Sequence, residues 1–120
     1  MSGKEKFIQG LKNLGFEVEN LEGNRLAFAL SVNEGTLAGK TVRVGVDVPG
    51  DFELTAPHGP HIHPRTLPTN TSSQEHRDRI HDSDFGPEWM HLSRPHPSWE
   101  SSKRNVDVYL AHVIKLLNTL

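Results

Sequence analysis

With 120 residues the chain can bury one modest core, so a single domain spanning residues 1–120 is expected. A formal net charge of -2 offers no basic footprint for nucleic acid, and the lack of any cysteine excludes disulfides, thiolate metal sites and a cysteine nucleophile. No apolar run approaches the ~18 residues of a membrane span or the core of a signal peptide, so a cytoplasmic protein without a membrane partner is expected.

In chain order, the first element reads as a helix. Phe7, Ile8, Leu11 and Leu14 form an apolar stripe, Gly15 supplies a stop, and Ser2 with Glu5 has the spacing of a capping box. Strands follow. FEVEN offers a short edge, and NRLAFALSV puts Leu26, Phe28, Leu30 and Val32 on one face. KTVRVGVDV alternates more strictly, with Val42, Val44, Val46 and Val48 inward and Thr41, Arg43, Gly45 and Asp47 outward. Pro49 ends that strand, and FEL beyond it is read as a further short one. The connections are too short to hold crossover helices, which predicts an antiparallel meander.

From Thr55 to about Ser102 no regular pattern is visible, yet seven of the eight histidines, both tryptophans and seven of the eight prolines lie there. So long an irregular stretch in a small domain points to function. Order returns in RNVDVYLAHVIKLLNTL. There Val106, Tyr109, Leu110, Val113, Leu117 and Leu120 share a helix face with Ile114 beside them, and Ser101 and Ser102 are the candidate caps. The predicted class is α+β: N-terminal helix, antiparallel β-meander, long irregular His/Pro-rich region resembling an active site, C-terminal helix.

The segment PHGPHIHPR concentrates imidazole. In an extended backbone His61 and His63 project to one face roughly 7 Å apart, compatible with two ligands on one ion. His91, His96, His81, Asp82 or Asp84 would complete a site for zinc, nickel or copper. Against metal, Pro60 and Pro64 restrict convergence, and no established zinc-hydrolase spacing is present. The competing readings are structural: His63 fixing a loop by hydrogen bonding, His58 and His61 as surface or shelf residues, His76 and His81 solvated, and His112 on a helix face. Trp89 and Trp99 read as packing residues, and Asp82, Asp84 and Glu88 as loop-solvating acids.

Three stretches resemble the ubiquitin-conjugating-enzyme-like (UBC-like) family. In VDVPGDFELTAP, Val46 to Pro57, a strand ends in proline, an acidic turn follows, and an aromatic precedes a second proline. HIHPR, His61 to Arg65, sits where the family has its His-Pro-Asn motif, with Arg65 replacing the asparagine. MHLSRPHPSW is similar to the family's active-site segment, with His91 at the cysteine position, Leu92 after it and Trp99 downstream. The resemblance is to divergent prokaryotic members that occur beside ubiquitin-like proteins, activating-enzyme-like domains and metal-dependent deubiquitinase-like peptidases.

It implies a UBC-like fold with the catalytic group missing. A ubiquitin carrier needs a thiolate that is both nucleophile and good leaving group, and an acyl-imidazole would hydrolyse readily. The loss of the asparagine also removes the side chain that steadies the oxyanion in the family.

Three functions are therefore expected to compete. The first is a non-catalytic, cysteine-free protein binding a ubiquitin-like or activating-enzyme-like partner, with no cofactor. The second is a histidine-based, metal-dependent or metal-free hydrolase or transferase using His61, His63 and His91 with Arg65 as anion contact. The third is an interaction module whose histidines respond to pH.

Overall fold

The structure, a computed structural model, describes residues 2–35, 37–57, 59–64, 80–92 and 99–118. Helix α1 spans Gly3–Asn13, and the Glu5 backbone N–H donates to Ser2 Oγ at 3.1 Å, half of the expected capping box. Among the described residues six strands follow: β1 (Val18–Asn20), β2 (Arg25–Ser31), β3 (Thr41–Asp47), β4 (His61–His63), β5 (Ile80–Asp82) and β6 (Met90–Leu92). They form one antiparallel sheet in the order β1-β2-β3-β4-β6-β5. A short 3-10 helix, Trp99–Ser101, precedes helix α2, Val106–Asn118. Among the described residues no helix is long and apolar enough to cross a membrane.

Strand alternation sets the core. Leu26, Phe28 and Leu30 pair with Val46, Val44 and Val42, and the row continues through Val44 to Ile62 and Met90. All of these are buried in one cluster with Phe7 and Leu11 of α1 and Val106, Tyr109, Val113 and Leu117 of α2. The helices touch directly where Gly10 faces Val106. A β-carbon at Gly10 would lie 2.5 Å from Val106 Cγ2, so only glycine allows this approach. The two apolar stripes are narrower than expected: Leu14 and Ile114 are exposed, Ile8 and Leu110 are half-buried, and Leu120 lies outside the described residues.

Three expectations are corrected. FEL is not a strand. The Phe52 N–H bonds to Pro49 O and the Leu54 N–H to Asp51 O, so the Pro49-Gly50-Asp51 corner closes on itself and leaves no ladder. Phe52 instead packs its ring against Phe7 and Trp99. Residues 55–102 are not uniformly irregular, since β4, β5, β6 and the 3-10 helix lie among them. Ser101 and Ser102 do not cap α2. Asn105 Oδ1 accepts the Val108 N–H at 3.0 Å, while Ser102 Oγ donates to Trp99 O and accepts the Arg104 N–H.

Candidate functional site

The sheet face away from the helices carries the unusual chemistry. One cross-strand row reads Ala27, Gly45, His61, His91, His81, each residue opposite the next in β2, β3, β4, β6 and β5. Register alone explains it. His61 lies next to the core residue Ile62, and His91 next to Met90 and Leu92, so each imidazole must face the opposite side. His61 and His91 are stacked, with ring centroids 4.2 Å apart and planes 8° from parallel.

This face is closed by residues 83–89, the connection between β5 and β6, which acts as a strap. Phe85 lies over Gly45, where a β-carbon would come within 2.6 Å of its Cε2. The ring thereby fills the place of the side chain Gly45 lacks and stacks on His61 at 4.2 Å between centroids. Rings of Phe85, His61 and His91 thus run as one pile along the row. Ser83 Oγ lies 2.6 Å from His61 Nδ1 and accepts the Phe85 N–H at 3.0 Å, so one hydroxyl orients both the imidazole and the strap backbone. His61 is 6% exposed, so it is a buried member of the pile and not a surface or shelf residue, and the Nε2 of His91 is enclosed.

Two arginines hold the strap from outside. The Arg25 guanidinium sits 4.6 Å above the Phe85 ring, donates to Asp84 O at 3.1 Å and lies 3.6 Å from the Asp47 carboxylate. Arg43 sits 4.9 Å above the Trp89 ring and makes a two-pronged contact with Glu19 at 2.9 and 3.0 Å. Such cation–ring contacts contribute roughly 0.5–1 kcal/mol each at exposed positions, and stacked ring pairs about 0.5–1.5.

His61 and His63 do share a strand face, as expected, but they have different partners. The His63 ring tilts against Trp89, and its Nε2 is 3.4 Å from Glu88 Oε2, whose side chain is largely in solvent. His63, Pro64, Pro87 and Glu88 line an open hollow of about 420 Å³. Stacked imidazoles present their faces to one another rather than converging lone pairs, and among the described residues no three metal-ligating side chains form a group. Asp82, Asp84 and Glu88 are exposed, and His112 lies beside Tyr109 on α2. His58, Arg65, His76 and His96 lie outside the described residues, and His81 is placed by its backbone register opposite His91.

Arg25, Arg43, Ser83 and Phe85 are members of this site that composition and spacing did not single out. The available signal was Gly45, since a glycine inside an otherwise regular strand marks a close approach by another group. Trp89 and Trp99 are both buried, on opposite sides of the sheet: Trp99 belongs to the core cluster, and Trp89 to the strap. Comparison of the chain with protein-family models, curated proteins and solved structures finds no match.

Proposed function

We propose that this chain is a cysteine-free, UBC-like protein that binds a ubiquitin-like or activating-enzyme-like partner and transfers nothing itself. One observation carries the reading. Position 91, where the resemblance puts the family's nucleophile, holds an imidazole, and no thiol exists anywhere in the chain. An acyl group on imidazole is lost to water too readily for a carrier. The order of helix, antiparallel meander, proline-rich turn and final helix is also what the resemblance requires. The edge strand β1 and the rim around Pro64 and Pro87 supply docking surface.

The test is direct binding to ubiquitin-like and activating-enzyme-like proteins of its native cell, before and after treatment of this chain alone with a thiol-blocking reagent. Saturable binding unchanged by the reagent is expected. Failure to bind either protein, with affinity capture from the native cell returning only unrelated proteins, would remove the reading.

A histidine-based hydrolase or transferase is favoured by one contact, the 2.6 Å approach of Ser83 Oγ to His61 Nδ1. Its metal-dependent form predicts stoichiometric zinc after purification without an affinity tag, lost in His63→Ala and His91→Ala. A metal-free preparation whose melting temperature ignores added zinc would end that form.

A further inference from the structure

We propose that the 83–89 strap is a lid, and that its lifting, with the sheet and helices intact, is what exposes His61, the buried member of the pair stacked with His91. The argument rests on what lies beneath the strap and on how the strap is held. The opposite sheet face buries aliphatic and aromatic side chains against two helices. The strap instead covers a glycine and the imidazole of His61, which water can solvate when uncovered.

Its backbone bonds are local. The Gly86 N–H donates to Ser83 O and the Trp89 N–H to Gly86 O. Attachment to the sheet runs through side chains: the Phe85 and Trp89 rings on Gly45, His61 and His63, Ser83 on His61, and, at the outer edge, Arg25 on the Asp84 carbonyl and Phe85 ring and Arg43 on the Trp89 ring. Both arginines are about one-third exposed, so the two outer attachments lie at the solvent boundary. Lifting residues 83–89 therefore breaks no strand pairing, because the β5–β6 ladder ends at Asp82 and Met90. A segment with few ladder bonds and solvent-edge anchors opens well below the free energy of global unfolding. Gly86, at φ +141°, provides a backbone geometry that other residues rarely adopt, in the middle of the strap. The lid stands independently of the UBC-like reading, since it concerns access to His61 whatever partner the protein binds.

The experiment is carbethoxylation of the intact protein with diethyl pyrocarbonate, followed residue by residue by mass spectrometry. In the wild type, His61 is expected to react at least tenfold more slowly than His63. Its rate should rise only shallowly with sub-denaturing urea, with less than half the slope of global unfolding. In the double variant Arg25→Gln, Arg43→Gln, His61 should react at least tenfold faster than in the wild type while the folded baseline of the urea transition is retained. A wild-type urea slope equal to that of global unfolding would overturn the lid, and so would a folded double variant with unaccelerated His61. The wild-type slope decides the matter even if the double variant does not fold.

Discussion

At the scale of single residues, Gly45 is the position on which the imidazole face depends. The Phe85 and Trp89 rings approach to 2.6 and 3.0 Å of where its β-carbon would stand. Gly45→Val should lower stability by about 1–3 kcal/mol through overpacking. In a Trp99→Phe background it should also red-shift Trp89 emission as that ring is pushed into solvent. Unchanged emission would mean that the rings do not rest on residue 45. Tyr109 makes a second residue-scale prediction. It is the only tyrosine, and burial in the core pushes its phenol far above the ordinary value near 10. The folded state holds this proton after the unfolded state has released it. Stability from this group is therefore intact below about pH 10 and declines above it, by up to about 1.4 kcal/mol per pH unit. Tyrosinate absorbance should appear only together with loss of the folded far-ultraviolet signal, and in Tyr109→Phe the decline above pH 10 should be shallower. Tyrosinate forming in the folded protein would show that the phenol is not sealed.

Among elements, the caps and short strands separate what sequence reasoning can reach from what it cannot. The β2 and β3 alternation and the α2 stripe were legible because each repeats over seven or more residues, and the α1 cap because it is a contact between near neighbours, Ser2 and Glu5. The α2 cap was not. Asn105 lies immediately before the first helical residue, but two serines upstream offer the same capping chemistry, and Arg104 at φ +53° turns the chain between them. Asn105→Ala is expected to destabilise by about 1 kcal/mol in urea unfolding, more than Ser101→Ala. The reverse order would return the cap to the serines. Strands β4, β5 and β6 were hidden for another reason. Each has three residues, too few for a period of two, and histidines occupy outward positions of the ladder. The pairing of His61 with His91 is fixed by tertiary register across 30 positions of chain, information that no local window contains. The strap was out of reach for the same reason, apart from the trace left by Gly45.

For the whole molecule, one sheet presents two chemically different faces. The helix side is a continuous apolar core, and the other side is a row of imidazoles roofed by rings and arginines. The sequence made the first face readable through hydrophobic alternation and left the second as a count of histidines without geometry. With no thiol in the chain, the proposed activity is association without acyl transfer. The most direct measurement is intact-mass analysis after incubation with ATP, a ubiquitin-like protein and its activating enzyme. The expected spectrum contains only the unmodified chain, alongside a non-covalent complex seen by sedimentation. An adduct carrying the ubiquitin-like tail, lost when His91→Ala is substituted, would contradict it.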